Sequence, residues 1–261
     1  MHRARVLTAL VLLPLLIGLV LYGPKILVWL LVLSATEIGW YEYARMTRLP
    51  PDLFMAGVFG LFAVLLALYL NPSFFLLALW LSLFLLTLYF LARFAGYEFI
   101  VLFGFSLAGM VYLGLCFGHL FLVFTLEQGR LWLLVLLAVV FGTDTGAYYT
   151  GRALGRRPFA PRVSPKKTWE GTVGGTLCGM MLGALLVFWL DLAPLPKILP
   201  FLGAVSVVGQ IGDLLESMIK RACGVKDSGE LLPGHGGLLD RVDALIFAAP
   251  LFYWGLYFFK F

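Results

Sequence analysis

Apolar runs long enough to cross a membrane recur from Val6 to Phe259, separated by short polar breaks. A helix needs roughly 20 residues to cross a hydrocarbon core. The pattern predicts nine such helices, at about 6–22, 25–44, 53–70, 73–92, 99–123, 130–150, 170–190, 197–221 and 242–260. The first run follows Arg3 and Arg5, but no small-x-small cleavage site follows Val20. It reads as a retained helix rather than a secretory leader. The expected fold class is all-α, a polytopic integral membrane protein.

Composition agrees with that reading. Of the 261 residues 62% are hydrophobic and 13% charged, against roughly 25% charged in an ordinary soluble domain. One water-soluble core cannot hide this excess. The net charge of +5 would suggest nucleic acid in a soluble protein, but here the location of charge matters more than its sum. With nine alternating helices, 15 of the 19 basic residues fall on the side of the amino terminus. Lys25, Arg130, Lys197 and Lys260 fall on the other. The positive-inside rule then makes the amino terminus cytoplasmic and the carboxyl terminus not. Cys116, Cys178 and Cys223 are odd in number and far apart, which suits neither a disulfide framework nor a zinc site.

Two cytoplasmic loops, 151–169 and 222–241, stand apart by their Arg, Lys, Pro, Gly and Asp content. They place the chemistry in region 126–261, after an amino-terminal region 1–125 of five helices. In the eighth predicted helix Ser206, Gln210, Asp213, Ser217 and Lys220 share one face, flanked by Glu216 and Arg221. The sixth ends with Asp144, Tyr148 and Arg152 on one face, and the ninth begins with Asp240 and Asp243. Carboxylates near the membrane interface need a cation or a wet cavity. Asp144, Asp213 and Asp240 can be buried salt-bridge partners or ligands of a hard cation, which prefers oxygen donors. Asp243 can pair with Arg241 or cap its helix. Glu37, on a face with Tyr41 and Arg45, suits an interhelical pair or a functional acid.

The run Ser164-Pro165-Lys166-Lys167-Thr168-Trp169-Glu170-Gly171 precedes the seventh predicted helix. Hydroxyls, lysines and a helix amino terminus suit a polyphosphate; the same run also suits lipid headgroups. His235, among glycines, can be a plain loop hydrogen-bonding residue or a phosphate contact.

The segment Ser217–Asp243, SMIKRACGVKDSGELLPGHGGLLDRVD, resembles the carboxyl-terminal signature of phosphatidate cytidylyltransferases: S-x-apolar-K-R, four residues, K-D, then P-x-H-G-G and D-R-x-D. A second block, Asp144–Gly175, is similar to the family's other cytoplasmic segment and contains its S-P-x-K-T-x-E-G element. Together the blocks cover about a quarter of the chain; the first five helices match only in general character.

The resemblance implies a helical membrane enzyme of the bacterial inner (plasma) membrane, a homodimer with a funnel-like site open to cytoplasm and bilayer. It implies transfer of CMP from CTP to phosphatidate, with Mg²⁺ and room for a second metal ion. The family's metal-binding aspartates fall on Asp213 and Asp240, with Asp144 as a third. Lys167, Lys220, Arg221 and Lys226 match its motif cations, and Ser217 and His235 its polar contacts. Ser164, Lys166, Thr168, Gly236, Gly237 and Arg241 fall in the same motifs and are expected to contact substrate. No nucleic-acid partner is expected. An ion-coupled transporter would place acids near mid-bilayer and on both sides, whereas the polar residues here gather at one face. The chain has neither a G-x-x-x-x-G-K-[ST] cradle nor the Asp-Gly that opens the CDP-alcohol transferase motif.

Overall fold

The computed structural model describes residues 14–93, 96–230 and 236–259. They form, in chain order, α1 (14–22), α2 (Lys25–Met46), α3 (Pro51–Leu70), a 3-10 turn (Pro72–Phe74), α4 (Phe75–Ala92), α5 (Tyr97–Thr125) and α6 (Gly129–Leu154). The strands β1 (Pro158–Ala160) and β2 (Ser164–Thr168) follow, then α7 (Trp169–Trp189), α8 (Leu195–Ala222) and α9 (Leu239–Phe259). Proline marks several starts: Pro24, Pro50 and Pro194 precede α2, α3 and α8 in extended conformation. It cannot donate the amide hydrogen bond that a preceding turn would need. The backbone divides into two compact units: Met1–Leu122 with Asp227–Leu239, and Val123–Lys226 with Asp240–Phe261.

In the first unit α2 packs on α3, and α3 on α4. Large aromatic residues fill the joints, and their polar tips reach backbone carbonyls. Trp29 Nε1 donates to Leu65 O at 2.8 Å, Trp40 Nε1 to Phe54 O at 2.9 Å and the Tyr43 hydroxyl to Phe105 O at 3.0 Å. A buried indole or phenol left unpaired would forfeit much of what its ring gains by burial.

In the second unit α7 lies close against α6 and also contacts α8. Gly171, Gly175, Gly179 and Gly183 recur every fourth residue of α7, so they form one stripe, and all four are buried. A methyl group at Gly175 would meet Thr143 O at 2.7 Å, and one at Gly179 would meet Val139 O at 2.7 Å. Only glycine lets the two backbones approach this closely. Leu177, Met181, Leu185 and Phe188 of α7 are exposed, as befits a face solvated by lipid chains.

Among the described residues seven helices are long and apolar enough to cross a membrane: α3, α4 with its 3-10 turn, α5, α6, α7, α8 and α9. The chain is a helical, multi-pass membrane protein. The expected first crossing, 6–22, lies partly outside the described residues. The expected second forms a helix, α2, but Lys25, Glu37, Glu42 and Arg45 leave it too polar to join the seven. The chain is helical as expected for the all-α class, apart from one short hairpin. Loop 151–169 is not irregular: α6 continues to Leu154, and β1 and β2 then form an antiparallel hairpin pairing Pro158 with Thr168 and Ala160 with Ser164. Paired backbone satisfies amides that would otherwise depend on water.

Candidate active site

The hairpin delivers Lys166 and Lys167 on β2 directly into the start of α7. Thr168 caps that helix, its Oγ1 accepting from Gly171 N at 3.1 Å. The Glu170 carboxylate, in the first turn, accepts from Arg156 N at 3.0 Å and Arg157 N at 3.3 Å. It thereby fastens the entry of the hairpin to the helix, while Phe159 stacks edge-on against Trp169 with ring centroids 4.6 Å apart. The lysine pair therefore sits on a short, tied segment.

Beside this segment lies an open cavity of about 420 Å³ whose lining includes Asp144, Arg152, Lys166, Lys167, Thr168 and Asp213. Lys167 Nζ reaches Asp213 at 2.6 Å, and Ser217 Oγ donates to the same carboxylate at 3.4 Å. Gln210, one turn below, donates from Nε2 to Thr176 Oγ1 at 3.0 Å and to Thr172 O at 3.4 Å. Deeper still, Thr143 and Ser206 join α6 to α8 by a buried hydroxyl pair at 2.7 Å. Of the polar face anticipated for α8, Ser206 packs against α6, Gln210 and Asp213 line the cavity, and Lys220 pairs with Glu216 and Asp240.

Asp144, Asp213 and Asp243, from α6, α8 and α9, lie within electrostatic reach of one another. Next to them Lys220 is clamped between Glu216 and Asp240, the Asp240 contact being 2.5 Å. Glu216 is 1% exposed and the side chain of Asp240 10%. Five carboxylates therefore cluster around two ammonium groups, Lys167 and Lys220. Carboxyl oxygens grouped at low water content suit a hard cation, which prefers oxygen ligands. Among the described residues no His, Cys, Asp and Glu group is already arranged as a ligand shell.

The other expected residues are placed as follows. Ser164 opens β2, and Arg221, exposed at the end of α8, reaches Val163 O at 3.5 Å and Val225 O at 3.3 Å. Lys226 is exposed beyond α8, and Arg241 lies in the first turn of α9. His235 lies outside the described residues. Gly236 and Gly237 belong to the first unit, where Gly236 has φ +82° and Gly237 packs on Ser228 and Glu42. Among the described residues, neither carboxylate oxygen of Glu37, both buried, has a hydrogen-bond partner.

Sequence reasoning passed over Glu42 altogether, gave Glu216 a flanking place and left Asp243 open. Acids spaced i, i+4 from a lysine, as Glu216 is from Lys220, carry a readable signal. Glu42 carried none, because its partners lie 186 to 197 residues away.

The sequence model of the cytidylyltransferase family matches residues 3–259. Curated relatives include the phosphatidate cytidylyltransferase of Bacillus subtilis (strain 168), 41% identical over 153 residues, 58% of this chain and 56% of that protein. That of Brucella suis biovar 1 is 49% identical over 152 residues, again 58% and 56%. That of Staphylococcus saprophyticus is 43% identical over 148 residues, 56% of each. The matching stretch thus spans little more than half the length of these relatives. A match that runs from residue 3 to residue 259 makes the chain a member of the cytidylyltransferase family.

Proposed function

We propose that the protein transfers CMP from CTP to phosphatidate, releasing pyrophosphate and forming CDP-diacylglycerol. The observation that carries this reading is the cavity in which Lys166, Lys167 and the capped start of α7 stand over Asp213 and Asp144. The names of the relatives supply the substrates. A phosphatidate oxygen attacks the α-phosphorus of CTP, and the bond to pyrophosphate breaks. A phosphate monoester has its second pKa near about 6, so the nucleophile is largely dianionic at neutral pH and needs no strong base. His235 is accordingly not needed as an obligatory base.

Both reactants are polyanions, and charge neutralisation is the dominant task. Lys167 and Lys166 would balance phosphate charge, joined by Arg221, Lys226 and Arg241 from the motif loops. Ser164, Thr168 and Ser217 would donate hydrogen bonds. The oxygen-rich, net-negative cluster fits a hard divalent cation, and Asp213, Asp240 and Asp144 would hold Mg²⁺, with donors enough for a second ion. The metal would supply Lewis-acid stabilisation of phosphate charge. Lys167 and Lys220, which hold Asp213 and Asp240 by ion pairs, would keep those carboxylates oriented.

The proposal includes nine crossings with a cytoplasmic amino terminus, a site facing the cytoplasm in the bacterial plasma membrane, and a homodimer. The side of the membrane rests on the uneven distribution of Lys and Arg. Purified protein given phosphatidate, labelled CTP and Mg²⁺ should release labelled CDP-diacylglycerol. Absence of that product, with the protein intact and dispersed in detergent, would refute the assignment.

A further inference from the structure

Glu42 is 2% exposed on α2, and among the described residues it makes no ion pair. Its carboxylate is instead surrounded by neutral donors from the segment Asp227–Leu239. Ser228 Oγ donates to Oε2 at 2.9 Å, Leu238 N to Oε1 at 2.8 Å and Leu239 N to Oε2 at 2.9 Å. Ser228 is itself 3% exposed. Leu239 is the first residue of α9, so the carboxylate takes the place of an N-cap side chain and meets the positive end of the helix dipole. Both stems of the loop close onto one side chain: Ser228 and Gly229 from one end, Gly237, Leu238 and Leu239 from the other.

The glycines follow from the same contact. A methyl group at Gly229 would lie 2.8 Å from Glu42 Oε1, and one at Gly237 would lie 2.6 Å from Oε2 and run into Ser228 Oγ. A buried carboxylate held by converging neutral donors fixes them tightly, because each donor lost leaves charge unsolvated.

We infer that Glu42 is a positioning residue for the enzyme: from α2 it anchors Ser228–Gly229 and Gly237–Leu239, the two ends of the segment that carries the P-x-H-G-G motif, and with them the first residue of α9. This rests on the activity proposed above. A side chain outside both signature blocks thereby controls the geometry of one of them.

The test is Glu42→Gln in the full-length protein. The amide keeps the volume but turns an NH₂ group toward N–H donors. Hydrogen exchange followed by mass spectrometry should show protection lost at Ser228–Gly229 and Gly237–Leu239, with exchange in α3 and α4 unchanged. The kcat should fall by about 100-fold, the scale of a small misplacement of reacting groups, while KM for CTP changes far less. Gly237→Ala should reproduce both effects, and Ser228→Ala, which removes one of the donors, a weaker version.

Unchanged exchange and unchanged kcat in Glu42→Gln would overturn the inference, as would a change confined to KM. If Glu42→Gln does not fold, Ser228→Ala decides: it must raise exchange at Leu238 and Leu239 and lower kcat, and failure in either sinks the proposal. Wild-type protein without cytidylyltransferase activity would refute the assigned function instead, and the exchange pattern would still decide whether Glu42 anchors the loop.

Discussion

The two lysines of the site sit in different dielectric surroundings, and substitutions should separate them. The Lys167–Asp213 pair is 26% and 32% exposed on its side chains, so its net worth to stability is at most about 1 kcal/mol. Lys220 is 11% exposed against Glu216 at 1% and Asp240 at 10%. Lys220→Met would strand two carboxylates in a poorly hydrated place, a loss of roughly 3–5 kcal/mol. Asp213→Asn should therefore melt within a few degrees of wild type yet lose turnover, whereas Lys220→Met should show a clearly lowered melting temperature in detergent. Equal melting temperatures for the two variants would contradict the burial argument. Asp240→Asn falls between them, because Lys220 keeps Glu216 as a partner. Its loss of activity must be read beside its melting temperature.

At the scale of elements, the approach of α7 to α6 depends on the absence of side chains. Gly179→Val would drive a branched side chain into Thr143 Oγ1 and the Val139 carbonyl. Neither can retreat without moving α6. Overpacking of this kind typically costs about 1–3 kcal/mol, and here it would also shift the helix end that bears Asp144. The expected outcome is lowered thermal stability together with lowered activity. Gly104→Ala on α5 is the control, since a methyl group there meets nothing within 4 Å, and it should be neutral in a thermal melt. A neutral Gly179→Val would show that α6 and α7 are not held at this distance.

For the whole molecule, the unbalanced carboxylates predict that turnover stops when EDTA removes divalent ions and resumes on adding Mg²⁺; full turnover in chelator would exclude the metal role. Tags at the two termini should label from opposite sides of the membrane, the amino-terminal one from the cytoplasm. Labelling from one side would refute nine crossings. Much of this protein is legible without tertiary structure. Membrane-spanning helices follow from run length, because the bilayer imposes one thickness on every crossing. The face of α8 that carries Asp213 follows from residue spacing, because helical periodicity is local. Three things were not legible. The hairpin at Pro158–Thr168 carries too few residues for its alternation to register. The division of the α8 face between packing and site depended on which neighbour each polar group met. Glu42 bonds to residues more than 180 positions away, and no periodicity along a chain encodes such a meeting. Local spacing determines what a helix presents on each face; only packing in three dimensions decides what that face touches.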